Sequence, residues 1–162
     1  MGLLEDLVLT HSIEIRTTPE KIFAFLRHLH LEENYRAWHP QDHQLMRWVK
    51  GEPWEEGSVA YAEQYAHGKL HKLKYIVTKV VPDREIEFSP RFWLWRIYFP
   101  KNTFSVESKG EICTFTATAH MRVGWLMKKL ARKKLDAALE SARKHMREEG
   151  ENLKKLLEHS GN

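Results

Sequence analysis

The densest concentration of reactive side chains lies in the run Tyr35-Arg36-Ala37-Trp38-His39-Pro40-Gln41-Asp42-His43, where two imidazoles and a carboxylate fall within five residues. Histidine is the commonest protein ligand for zinc-like ions, and mixed imidazole and carboxylate sets suit Zn, Mn, Fe or Co. A second pair, His145 and Glu149, is four residues apart near the end of the chain. On a helix that spacing puts both on one face, where two such side chains can share an ion. With Met146 as origin and about 100° per residue, Leu135, Leu139, Ala142, Leu153 and Leu157 fall within about 40° of it, Glu149 at about −60° and His145 at about −100°. Glu149 therefore stands on the shoulder of an apolar stripe, where a carboxylate is costly unless paired or ligated. The third candidate is Glu63, in the alternating run Ser58 to Ala66. Val59, Tyr61, Glu63 and Tyr65 share one strand face and Ala60, Ala62, Gln64 and Ala66 the other. The bulkier, aromatic face is expected to be concave, which points Glu63 inward; a small alanine face packed on a helix is the competing arrangement.

Several elements must bring these residues together. Val8 to Arg16 alternates as a strand. Thr18 can cap a helix that begins at Pro19 and buries Ile22, Phe23, Phe25, Leu26 and Leu29. A short helix is expected over Leu31 to Tyr35. Strands follow at 58–66, 69–81, 85–89, 102–107 and 111–122, with turns at His67-Gly68, Pro82-Asp83-Arg84 and Lys109-Gly110. The stretch from Pro90 to Pro100 reads either as a bulged strand or as a lid. Trp125 to His159 has helical apolar spacing and reads as one long helix, with Gly150 as its weak point. A run of adjacent strands implies one antiparallel sheet on which the helical parts pack. A long helix in the mouth of a curved sheet leaves a cavity for a small ligand.

This order resembles the helix-grip fold of the START and polyketide-cyclase (SRPBCC) superfamily, the opening IEIRTTPEKIFAFLRHLHLEENYRAW being similar to its first strand and helix pair. The resemblance implies an α+β fold, a curved antiparallel sheet of about seven strands around a long C-terminal helix, and a cavity for a hydrophobic or aromatic ligand. The strings YRAWHPQDHQLMRW, GSVAYAEQYAHGKLHKL and HMREEGENL further resemble the metal-binding core of the diacetylphloroglucinol hydrolase family. That likeness implies a zinc ion held by His43, Glu63, His145 and Glu149, with His43 favoured over His39. It also implies cleavage of an acyl–aryl carbon–carbon bond, and a contact of Tyr35 with a phenolic oxygen. Tyr35, His39 and Asp42 would then be the groups that donate or shuttle protons, or Asp42 would orient a histidine ligand. The chain is much shorter than that family's enzymes and has no counterpart of their N-terminal region. The bland alternative within the same fold is a carrier that holds a hydrophobic molecule without transforming it.

Composition bounds the rest. The chain has 162 residues, the length of a single domain covering 1–162. Hydrophobic residues are 42% and charged residues 30%, as in ordinary globular proteins. One cysteine, Cys113, excludes a disulfide framework and a cysteine-rich zinc site, and fits a reducing compartment. No apolar run reaches the roughly 20 residues of a bilayer span, and the acidic start Met1 to Asp6 lacks a signal-peptide layout. A cytoplasmic location without stable membrane insertion is therefore expected. The net charge of +4 arises mostly between Lys128 and Lys155 and reads as a solvated helix face, without a nucleic-acid partner. Phe92 to Trp95 is compatible with a lid, a homodimer patch or a membrane-touching loop.

Overall fold

The computed structural model describes residues 3–31 and 33–159. Met1 and Gly2, and one position of the short helix expected at 31–35, lie outside the described residues. The chain begins with the strand β1 (Leu4–Ile15), followed by helix α1 (Pro19–Arg27). Thr18 caps α1 by accepting a hydrogen bond from the Lys21 amide at 3.3 Å, with Pro19 in the first turn. Ile22, Phe23 and Leu26 are buried on its inner face.

Helix α2 (Asn34–Trp38) starts three residues later than the short helix expected over Leu31 to Tyr35, and β2 (His43–Lys50) comes next. Strand β2 escapes an alternation test because its register shifts between His43 and Leu45 and again between Trp48 and Lys50. Each shift breaks the period-2 pattern. Strands β3 (Val59–Ala66), β4 (Lys69–Val81) and β5 (Glu85–Pro90) follow the expected boundaries closely. Trp93–Tyr98 is a short helix, α3, and not a bulged strand. Strands β6 (Lys101–Lys109) and β7 (Ile112–Gly124) complete one antiparallel sheet in the order β1-β7-β6-β5-β4-β3-β2.

The expected single C-terminal helix is two: α4 (Trp125–Leu130) and the 28-residue α5 (Arg132–His159). Ala131 leaves helical geometry between them, at φ −125° and ψ 38°. Gly150 does not break α5; it is buried where the helix meets β1. A Cβ there would lie 3.0 Å from His11 Cε1 and 3.3 Å from Ile13 Cγ2. The glycine thus trades intrinsic helix propensity for close approach to the sheet. Leu153, Phe115, Ile15 and Leu26 form the fully buried centre of the core. This is the helix-grip arrangement: a curved seven-stranded sheet, α1 and α2 on one side, and α5 across its concave face.

Candidate functional site

Between α5 and the sheet lies a cavity of about 500 Å³. Trp48, Trp54, Tyr75, Phe88 and Phe104 supply aromatic wall, and Ala60, Ala62 and Ala117 leave room. Its polar end is built where α2, the start of β2 and the middle of α5 meet. The Trp38 indole N–H donates to the Glu149 carbonyl oxygen at 3.0 Å and ties α2 to α5. The His43 amide donates to the His39 carbonyl at 2.9 Å, which holds the turn between them.

His43 is almost fully buried, and its ring stacks on Tyr35 with centroids 3.9 Å apart and planes within 2°. His43 Nδ1 lies 3.0 Å from the Tyr35 carbonyl oxygen. A carbonyl only accepts, so Nδ1 carries the proton, and the neutral ring presents a lone pair at Nε2. That Nε2 faces Glu149 Oε2 at 3.5 Å. Burial drives the His43 pKa down to about 4, against the pull of the Glu149 charge. The imidazole is therefore neutral near pH 7, and two acceptors confront each other across 3.5 Å. A cation between them would satisfy both.

His145 lies between two carboxylates, with Nδ1 2.7 Å from Asp42 Oδ2 and Nε2 2.7 Å from Glu149 Oε1. Burial opposes its charge, but the charges and hydrogen bonds of Glu149 and Asp42 outweigh it and raise the pKa to about 9. Burial likewise penalises the Glu149 carboxylate, yet His145 and His43 hold its pKa below the ordinary value. The ligand-capable atoms of His43, His145 and Glu149 all lie within 4.8 Å of one another. Two histidines and one glutamate form a donor set found in catalytic zinc sites, with a fourth position left for water or substrate. Asp42 then stands behind His145 as a carboxylate that fixes its ring, the usual outer support of a metal-bound histidine.

His39, Asp42 and His145 make a second grouping within 4.8 Å. His39 Nδ1 accepts the Asp42 amide at 3.0 Å, so its proton is on Nε2. That atom is buried, and it lies 3.5 Å from both Asp42 Oδ2 and Glu148 Oε2, beyond good hydrogen-bond geometry. His39 stacks on His145 at 4.7 Å. It thus turns an N–H toward the cluster, whereas His43 offers a free lone pair.

Glu63 does not join the cluster. It is on the opposite face of β3, where its Oε1 accepts the Tyr61 hydroxyl at 2.7 Å while Arg47 sits 4.9 Å over the Tyr61 ring. The face carrying Ala60, Ala62 and Gln64 is the concave one, against the expectation from bulk. The reason is volume: aromatic rings from β2, β4, β5 and β6 already occupy the concave side, and alanines on β3 keep it open. Gln64 takes the inward position, its Oε1 accepting the Tyr35 hydroxyl at 2.9 Å. Tyr75, which no motif singled out, faces the cavity; burial first, and then the Glu149 charge, raise its pKa. Tyr35 is also raised well above its ordinary value, chiefly by burial, and stays a hydroxyl donor. The two consecutive alanine positions in the alternation were the signal that could have marked Gln64 as inward.

Residues 6–158 match the family model described as polyketide cyclase / dehydrase and lipid transport. No curated protein matches the sequence. Among solved structures, norcoclaurine synthase from Thalictrum flavum, in complex with dopamine and hydroxybenzaldehyde, superposes with a TM-score of 0.67 at 13% identity, covering 99% of this chain and 91% of that one. The di-domain aromatase/cyclase BexL of the BE-7585A biosynthetic pathway gives 0.67 at 13% identity, over 94% of this chain and 50% of that one. Major latex-like protein 151 from Panax ginseng gives 0.56 at 16% identity, over 90% and 99%. At these identities the likeness is one of fold.

Proposed function

The chain belongs to the polyketide cyclase, dehydrase and lipid transport family, and from that premise we propose that it is a metal-dependent hydrolase of a small acylated phenol bound in its cavity. The observation that carries the reading is the confrontation of the His43 Nε2 lone pair with the ionised Glu149, 3.5 Å apart, beside His145. A buried acceptor pair of this kind is unfavourable alone and favourable around a divalent cation. The similarity of the three motifs to the diacetylphloroglucinol hydrolase family supports the reaction class, and zinc is the ion proposed. Glu63, on the outer face, drops out of the ligand set, which leaves three protein donors.

The reaction adds water across the bond between an acyl carbon and a ring carbon, giving a carboxylic acid and an arene C–H. A bound divalent ion supplies Lewis acidity toward a carbonyl oxygen and lowers the pKa of water. Tyr35, kept protonated by burial, donates a hydrogen bond to the phenolic oxygen in place of Gln64. Asp42, on the cavity wall, takes the proton released by the attacking water and returns one to the departing ring carbon. His39 turns its Nε2 proton toward Asp42, 3.5 Å away, and so helps to orient that carboxylate. The aromatic walls hold the ring and exclude bulk water.

The test is elemental analysis of protein purified without chelator or metal-affinity tag, coupled to chromatography of an acylated phenol and its products. Wild type should retain about one ion per chain and release the carboxylic acid. His43→Ala and Glu149→Gln should lose both, and Glu63→Gln should keep both. Loss of metal in Glu63→Gln overturns the three-donor set, and a metal-free and inactive wild type overturns the hydrolase reading. The second reading is a carrier of a small hydrophobic ligand, favoured by the apolar cavity and by the outward Glu63. It predicts ligand binding without turnover and without dependence on metal.

A further inference from the structure

One end of the sheet carries an apolar and predominantly basic surface that the site chemistry does not use. Tracing the register across the sheet brings its pieces together. The β3–β4 turn follows the Ala66–Lys69 pair, Tyr75 of β4 pairs with Pro90 at the end of β5, and Lys101 at the start of β6 pairs with His120 of β7. Leu4 of β1 pairs with Gly124 at the end of β7. The β3–β4 turn, α3 and α4 therefore all emerge at the same end of the sheet. Tyr65, His67 and Phe99 line the cavity there, so this end is also its mouth.

The side chains at this rim are unusual for a surface. Trp93 is 63% exposed, Trp95 55%, Leu126 60% and Leu130 77%, with Phe92, Trp125 and Met127 also exposed. Neither α3 nor α4 buries a single residue. The three segments that form the rim, 65–74, 89–105 and 120–135, contain three, three and six lysines or arginines and no aspartate or glutamate. Among the described residues, the only acidic partners reaching them from elsewhere are Glu5 on Lys128, Asp6 on Arg122, Glu87 on Lys101 and Asp136 on Arg132. Exposed indoles beside lysines match the headgroup level of a bilayer, where aromatic rings sit at the boundary and cations meet anionic lipid. A nucleic-acid backbone would engage the cations but leave Leu126, Met127 and Leu130 in water. No described helix is long and apolar enough to cross a membrane, so the contact is peripheral.

We propose that the rim formed by α3, α4 and the β3–β4 turn docks the cavity mouth on an anionic lipid bilayer, so that a hydrophobic ligand enters without crossing water. The proposal does not depend on the metal or on hydrolysis. The experiment is co-sedimentation of the full chain with vesicles of phosphatidylcholine alone and of phosphatidylcholine with 30% phosphatidylglycerol (about a third anionic, enough to raise a surface potential). The expected result is binding at least about tenfold tighter to the anionic vesicles, weakened by raised salt, with a blue shift of tryptophan fluorescence. The double variant Trp93→Ser/Trp95→Ser and, separately, Lys133→Glu/Lys134→Glu should each lower vesicle affinity by about tenfold or more while leaving the circular dichroism spectrum and melting temperature unchanged. All four residues are exposed, so neither pair supports the core. Equal binding to neutral and anionic vesicles, or none to either, overturns the proposal. So does a stable dimer that the tryptophan variant dissociates while vesicles bind neither form. Binding to an oligonucleotide that survives the tryptophan substitutions, with no vesicle binding, overturns it as well.

Discussion

Raising the pH while zinc is titrated into the metal-free protein tests the proposed site through its proton count. His43 is already neutral above about pH 4, held there by burial. His145 remains an imidazolium up to about pH 9, because Glu149 and Asp42 outweigh the cost of burying it. Glu149 is ionised throughout, its pKa lying below the ordinary carboxylate value. An ion that takes the Nε2 atoms of both histidines must therefore displace one proton, from His145, anywhere between these limits. The association constant should rise about tenfold per pH unit, ~1.4 kcal/mol each, or about a hundredfold between pH 6 and 8. The retained Nδ1 proton keeps its hydrogen bond to the Asp42 carboxylate 2.7 Å away. Calorimetry in two buffers of different ionisation enthalpy reads the same number independently, as about one proton released per ion bound. A flat profile would mean that His145 is not a ligand. A slope of two would mean that His43 enters the site protonated, and the lone-pair argument would fail with it.

Metal-free protein should be most stable near pH 6.5. The depressed pKa of His43 gives stability that is full above the unfolded value and is lost as pH falls toward about 4, whereas the raised pKa of His145 gives stability that is full below the unfolded value and is lost as pH rises through about 9. Each limb is worth on the order of 3 kcal/mol at most; urea unfolding across pH should show both, and His145→Gln should remove the alkaline one. Asp42→Asn keeps the shape but loses the charge behind His145, so zinc affinity should fall about 10–100-fold without loss of fold, as measured by competition with a chromogenic chelator. Gly150→Val places carbon where His11 and Ile13 already sit, 3.0–3.3 Å from the new Cβ. It should lower stability by ~1–3 kcal/mol, read from thermal unfolding; an unchanged melting temperature would show that α5 is free to lift from β1.

How far the sequence carried the site depended on which periodicity set each residue. On α5 the arithmetic of about 100° per residue is unambiguous, and His145 and Glu149 emerge beside Met146 with Nε2 and Oε1 2.7 Å apart. Capping and turn chemistry likewise marked α1 and the His67-Gly68 turn, where both residues have positive φ. On β3 the period of two fixes which residues share a face but not which face is inside, and judging by bulk chose wrongly. Inwardness on a curved sheet is decided by what the neighbouring strands already fill, and that is tertiary information. Trp48, Tyr75, Phe88 and Phe104 crowd the concave side, so β3 contributes alanines there and sends Tyr61 and Glu63 outward. The same limit explains β2, whose two register shifts erase its alternation, and α3, whose aromatics are exposed and therefore answer to no core periodicity at all. What local pattern cannot supply is the choice between Glu63 and Gln64. Those neighbours are nearly isosteric, a carboxylate against an amide, so the choice between them is one of charge, and it decides whether a bound cation would meet three protein ligands and an open position or four ligands and a closed one. The inward amide, already accepting the Tyr35 hydroxyl, fits the open arrangement that the proposed hydrolysis would need.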